Sequence, residues 1–186
     1  MPLEEKRVES QVLTKSGFLE VRRDTVILPD GKRASREYCV HPGAVAVIAV
    51  LPNGDLVLER QFRYPVGQVM IEFPAGKLDA QESGLLCAKR ELKEETGYVS
   101  ERWAYAGYFS PCIGYSNERI DVWLAADVQA GEQHLDEGEF LEVFTASFEQ
   151  VQQWILDGVI TDGKTLACFN WLAAWRHGLW VPEWQA

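Results

Sequence analysis

The chain has 186 residues, 47% of them hydrophobic and 25% charged, with a formal net charge of −10. That length suits one ordinary domain, or one domain with a small accessory segment, and the composition is globular, neither disordered nor fibrous. The acidic balance disfavours nucleic acid, whose phosphates are bound by basic surfaces. No apolar run reaches bilayer-spanning length, and the polar start MPLEEKRVES is no signal peptide, so a cytoplasmic protein with no membrane partner is expected. Small anionic substrates stay open, provided that a cation, most simply a divalent metal, stands between them and an acidic protein. The four cysteines (Cys39, Cys87, Cys112, Cys168) lie far apart, with no C-x-x-C. They read as buried free thiols and not as a zinc site or a disulfide framework.

The opening third reads as antiparallel β. Phe18 to Leu28 alternates in part, Asp30-Gly31 gives a turn, and Arg33 to Val40 returns. His41-Pro42-Gly43 breaks the pattern, dividing a small N-terminal β segment, 1–42, from a main domain, 43–186. Ala44 to Leu51 is a continuous apolar run, short enough for a strand buried on both faces. Asn53-Gly54 turns the chain into a second strand, Asp55 to Phe62, and Gln68 to Pro74 supplies another. A helix is predicted from about Glu82 to Thr96, stopped by Gly97. Strands at Trp103 to Phe109 and Ile120 to Asp127 flank a loop at Ser110 to Glu118. Ser147 with Gln150 forms a capping box before a helix at Val151 to Leu156, and a further helix covers Gly163 to Trp175. Sheet, helix, sheet and helices in that order suggest an α/β sandwich with a mixed sheet.

The segment with the most chemistry is Gly76 to Tyr98, GKLDAQESGLLCAKRELKEETGY. At about 100° per residue, Leu85, Ala88 and Leu92 share one arc, which should face the core. Glu91, Glu94 and Glu95 occupy the adjoining arc, with Lys89 and Lys93 on the far side. A helix that carries charge only for solubility interleaves opposite signs at i, i+4. Here Glu91 and Glu95 form a like-charge i, i+4 pair, costing a few tenths of a kcal/mol unless a cation neutralises it. Carboxylate oxygens are hard ligands of the kind Mg²⁺ and Mn²⁺ prefer, and Mg²⁺ commonly shares its shell with water and substrate phosphate. Arg90 lies beside Glu94 and can hold that carboxylate in place.

Gly76, Glu82, Arg90, Glu91, Leu92, Glu94, Glu95, Gly97 and Tyr98 match the Nudix box, G-x5-E-x7-R-E-U-x-E-E-x-G-U, without a departure. Average residue frequencies put a chance match on the order of 10⁻⁹ per starting point. The chain is thereby identified as resembling the Nudix hydrolases, and the element order over roughly residues 43 to 186 is similar to their α/β/α sandwich. The resemblance implies hydrolysis of a pyrophosphate bond in a nucleoside diphosphate derivative with one to three divalent ions, Mg²⁺ or Mn²⁺. It makes Glu91, Glu94 and Glu95 metal ligands, with the Ala75 carbonyl as an additional one. Gly76 would allow the loop its tight geometry, and Glu82 and Arg90 would orient loop and helix.

Outside the box, Gln61-Phe62-Arg63-Tyr64-Pro65-Val66-Gly67 and Glu72-Phe73-Pro74-Ala75-Gly76 resemble the ADP-ribose pyrophosphatase branch, as does Pro111, 13 residues beyond Tyr98. Arg63 is the expected contact to the diphosphate, because a guanidinium offers forked hydrogen bonds to phosphate oxygens. Arg36, Glu72, Pro111 and Glu118 are further substrate-binding candidates. A general base is expected in Asp136-Glu137-Gly138-Glu139, with Glu139 first and Glu137 second. The branch resemblance also implies a homodimer formed through the N-terminal β segment, for which Trp171, Trp175, Trp180 and Trp184 are available. The expected reaction converts ADP-ribose to AMP and ribose 5-phosphate. GDP-mannose or another nucleoside diphosphate sugar is the nearest alternative substrate. A non-catalytic nucleotide-binding regulator is a third reading, but it would be expected to lack box glutamates, and all of them are present.

Overall fold

The computed structural model describes residues 3–185, and the chain divides into two compact units. The first unit takes in the chain up to Gly43 together with the Ser110–Arg119 loop. It is built on a three-stranded antiparallel sheet of β1 (Lys6–Ser16), β2 (Leu19–Ile27) and β3 (Arg33–Val40), in that order. The hairpin at Asp30-Gly31 agrees with the sequence reading, whereas β1 was not anticipated. Its pairing with β2 slips between Arg7 and Glu9 and again between Val12 and Thr14. Each slip resets the period-2 alternation by which a strand is recognised. The 110–119 loop is tied to β3: Cys39 N donates to the Tyr115 carbonyl at 2.8 Å, and Asn117 N donates to that of Cys39 at 3.2 Å.

The second unit holds an eight-stranded mixed sheet. Its strands in chain order are β4 (Ala44–Val50), β5 (Leu56–Arg63), β6 (Gln68–Glu72) and β7 (Ala75–Lys77); after α1 (Gly84–Thr96) and the short β8 (Tyr98–Val99) come β9 (Arg102–Phe109) and β10 (Ile120–Ala126). Then follow the short β11 (Gln129–Ala130), which pairs with β8, then β12 (Leu141–Ala146), α2 (Phe148–Leu156), α3 (Gly163–Arg176) and β13 (Trp184–Gln185). The path across the sheet is β12-β5-β4-β10-β9-β13, with β6 added on β5 and β7 on β4. β4 and β10 run parallel and the remaining pairs are antiparallel.

All seven residues of β4 are buried, as its unbroken apolar run requires. Its alternate side chains belong to different cores. Ala46, Ile48 and Val50 join Leu56 and Leu58 of β5, Val151 of α2, and Cys168 and Leu172 of α3. Val45, Val47 and Ala49 join Val57 of β5 and Cys87, Ala88 and Leu92 of α1. The sheet therefore carries α1 on one face and α2 with α3 on the other, the expected α/β/α sandwich. Cys87 and Cys168 are buried and Cys39 and Cys112 only partly so; all four are free thiols, so the expectation of four buried cysteines holds for two. Among the described residues no helix is long and apolar enough to cross a membrane.

Both ends of α1 are set by local chemistry. Ser83 caps the start, its hydroxyl accepting from Leu86 N at 3.4 Å. Gly97 ends it at φ 74°, with its N–H on the Lys93 carbonyl. A Cβ at Gly97 would lie 2.9 Å from the Gln133 backbone nitrogen as well as demanding a left-handed conformation, so only glycine closes the helix here.

Candidate active site

α1 packs Cys87, Ala88 and Leu92 on the sheet, and the helical period then brings Glu91 and Glu95 to the margin of that contact. Glu95 is only 4% exposed, and its Oε2 accepts from Ala75 N at 3.0 Å. The chain at Ala75–Lys77 approaches the helix so closely that a Cβ on Gly76 would fall 1.9 Å from the Glu91 carboxyl. Glycine at that position is thus a steric requirement of the loop lying on the helix.

Arg90 lies at the centre of the charged cluster. Its Nε and Nη2 make a fork with Glu82, both at 2.9 Å, and Nη2 also donates to the Lys77 carbonyl at 3.2 Å. Nη1 donates to Glu91 at 2.8 Å and to Glu94 at 3.1 Å. The fork pulls the Glu82 carboxyl down to about 2, and Glu82 Oε2 also accepts from Asp79 N. Burial pushes the Glu91 carboxyl up despite Arg90, and it pushes Glu95 up further, helped by repulsion from Glu59 and Glu91. The order of causes is physical. Burying an unpaired carboxylate costs several kcal/mol, whereas like-charge repulsion along a helix costs tenths.

These groups line a cavity of about 240 Å³ bounded by Gln61, Arg63, Ala75, Gly76, Lys77, Asp79, Arg90, Glu91, Glu94, Glu95, Asp136 and Glu139. The structure therefore brings together Arg63, Ala75, Arg90, Glu91, Glu94, Glu95 and Glu139. Glu137 is exposed and does not line this cavity. Glu139 receives a hydrogen bond from Gln61 Nε2 at 3.4 Å. Glu72 is 1% exposed, and both its oxygens are taken: Oε1 by Arg63 Nε at 2.8 Å, and Oε2 by Arg63 Nη2 at 2.7 Å and by Lys164 Nζ. Lys164 reaches Asp162 as well, at 3.0 Å, and Asp162 caps α3 by accepting from Thr165 N.

Arg36, Pro111 and Glu118 belong to the first unit. Arg36 forks onto Glu5 at 2.5 and 2.9 Å and lines a second cavity, of about 230 Å³, with Tyr38, Ile113 and Tyr115. Pro111 lies in the turn that opens the loop, and Glu118 Oε1 is 3.7 Å from His41 Nδ1.

One buried group escaped the sequence reading. Glu59 on β5 is fully buried, neither carboxylate oxygen has a hydrogen-bond partner, and burial pushes its pKa up. The signal was present as a single charge closing the apolar run Leu56-Val57-Leu58, which on a strand places it on the Val57 face, toward α1. As donors for a divalent ion, the residues around the cavity fit: they are hard oxygens in excess, with the Gly76 backbone pressed against them. Among the described residues no three such side chains close on a common point, since Arg90 holds Glu91 and Glu94 and Ala75 N holds Glu95.

Comparison with known proteins agrees with this architecture. Residues 40–167 match the NUDIX domain, and residues 5–38 match the nucleoside diphosphate sugar hydrolase N-terminal domain. The ADP-ribose pyrophosphatase of Bacillus subtilis (strain 168) is 35% identical over 172 residues, covering 91% of this chain and 93% of that one. The GDP-mannose pyrophosphatase of Yersinia enterocolitica is 33% identical over 196 residues, covering 96% and 99%. A solved crystal structure of an ADP compounds hydrolase has the same fold, with a TM-score of 0.85 at 20% identity over 96% of this chain and 98% of that one. A complete signature on a helix of this sandwich, a domain match across most of the sequence and relatives that span nearly its full length have one reading: the chain belongs to the Nudix family of pyrophosphohydrolases.

Proposed function

We propose that the protein hydrolyses ADP-ribose to AMP and ribose 5-phosphate, with Mg²⁺ or Mn²⁺ held by Glu91, Glu94, Glu95 and the Ala75 carbonyl. The observation that carries this reading is the cavity in which Glu91, Glu94 and Glu95 meet Arg63 and Glu139. A bound divalent ion supplies charge to offset the diphosphate and lowers the pKa of a water it holds. The protein's own groups do the rest. Arg63, braced by Glu72, turns its remaining guanidinium nitrogen to a phosphate oxygen. Glu139, steadied by the Gln61 amide, takes the proton of the attacking water, with Glu137 the second candidate on that loop. Arg90 keeps Glu91 and Glu94 from splaying apart before the cation arrives.

The ADP-ribose assignment follows the Bacillus subtilis relative and the Gln61–Gly76 and Pro111 resemblances. GDP-mannose is the second reading, favoured by the Yersinia relative and by the match of residues 5–38. Arg36, Pro111 and Glu118 carry proposed substrate contacts that rest on the family resemblance alone. A homodimer through the N-terminal segment is part of the proposal. β1 is an edge strand whose eleven residues are all exposed, Val8, Val12 and Leu13 among them, and such an edge favours pairing with another chain.

Hydrolysis assayed on ADP-ribose and GDP-mannose in parallel should be faster on ADP-ribose, require a divalent cation and stop with EDTA. Glu95→Gln should lower turnover by on the order of 100-fold or more while leaving the circular-dichroism spectrum unchanged. Faster turnover of GDP-mannose would transfer the assignment to it, and full activity of the variant or in EDTA would refute the metal chemistry. Stability should also depend on pH. Glu59 and Glu95, pushed up by burial, keep protons in the folded chain that the unfolded chain has released. Without metal, stability should therefore fall as pH rises from roughly 5 to 8, and a divalent ion should flatten that slope. Urea midpoints in EDTA that rise across this range would contradict the burial of those charges. Sedimentation equilibrium should return twice the chain mass, and a single-chain mass would remove the dimer.

A further inference from the structure

Strand β5 offers the cavity a ladder of polar side chains. Glu59, Gln61 and Arg63 alternate along one face, the face on which Val57 packs into the core shared with α1. Gln61 and Arg63 line the cavity, and Glu59 is one step further in, where solvent does not reach. Neither Glu59 oxygen has a hydrogen-bond partner, and the Gln61 amide oxygen, also buried, has none. Two cations in this part of the unit are already committed: Arg63 to Glu72, and Lys164 to Glu72 and Asp162. The result is three buried acceptor atoms, two on Glu59 and one on Gln61, on the face toward the acidic helix with no donor on any of them. Polar groups placed so deep are ordinarily satisfied, and a carboxylate beside an amide oxygen is satisfied by a cation. A hard divalent ion takes six or more oxygens, more than three helix carboxylates and one carbonyl need supply.

We infer that Glu59, with the Gln61 amide oxygen beside it, belongs to the divalent-cation site, as a carboxylate delivered from β5 in addition to those of α1. The inference rests on the metal chemistry proposed above, and the test separates the two. Mn²⁺ binding to metal-free, full-length protein is measured by calorimetry for the wild type, Glu59→Gln, Glu59→Asp and Glu95→Gln, with thermal unfolding of each as the fold control. Glu59→Gln should weaken Mn²⁺ binding roughly tenfold or more, with a metal-free melting temperature equal to or above the wild type, because a buried carboxyl without a hydrogen-bond partner has gone. Glu59→Asp should fall between the two. Wild-type affinity in folded Glu59→Gln, beside a loss in Glu95→Gln, would overturn this inference and leave the helix site standing. Wild-type affinity in Glu95→Gln as well would overturn both. Wild-type crystals soaked in Mn²⁺ give the answer without any variant. An anomalous peak about 2 Å from a Glu59 oxygen is expected, and a peak on the helix carboxylates alone would overturn the assignment.

Discussion

Arg90 makes one body of the acidic helix and the loop that precedes it. One guanidinium reaches Glu82 before the helix, the Lys77 carbonyl on the approaching strand, and Glu91 and Glu94 on its own helix. Its Nη1 is what sets the spacing of Glu91 and Glu94 beside Gly76. The Gly76 backbone then lies so close to Glu91 that no side chain fits between them, and Ala75 N pins Glu95. The negative charge that a phosphate substrate would reject is thus fixed in place, and its repulsion is available to drive cation binding.

The sandwich supplies the rigidity that this arrangement needs. Buried on both faces, β4 pairs with β7 through Ala46 and Ala75, so the loop that touches the helix is hydrogen-bonded to the central strand. On the opposite face, Thr165 at the start of α3 accepts from Phe73 N, securing the chain immediately before that loop. Asp162, Lys164 and Glu72 join the same point to β6 and, through Arg63, to β5. The cavity is in this way framed by β5, β7 and α1, each held by partners outside the site.

What could be read from residues alone was whatever is local along the chain. The box is a run of 23 residues on one turn and one helix, so spacing revealed both the core arc and the carboxylate arc, and Glu95 is buried as an arc next to the core should be. β4, β5, β9, β10 and all three helices were legible as apolar runs bounded by turns and caps. β1 was not, because all eleven of its residues are exposed and no buried face imposes an apolar alternation on them. The ion pairing of Glu72 was illegible for a different reason. Its partners, Arg63 and Lys164, lie 9 and 92 residues away, so only the folded chain shows that both oxygens are occupied. Glu59 was hidden by its neighbours: within Leu-Val-Leu-Glu it read as the end of an apolar strand, and its isolation from every hydrogen-bond partner is a tertiary fact.

The account turns on a divalent ion lodging between the Gly76 loop and the acidic face of α1. The most direct measurement is the amide spectrum of ¹⁵N-labelled protein during addition of substoichiometric Mn²⁺, whose unpaired electrons broaden nearby signals. The amides of Ala75, Gly76 and Glu91 through Thr96 should broaden first and together. Broadening confined to exposed acidic residues such as Glu4 and Glu9, with the Gly76 loop untouched, would contradict it.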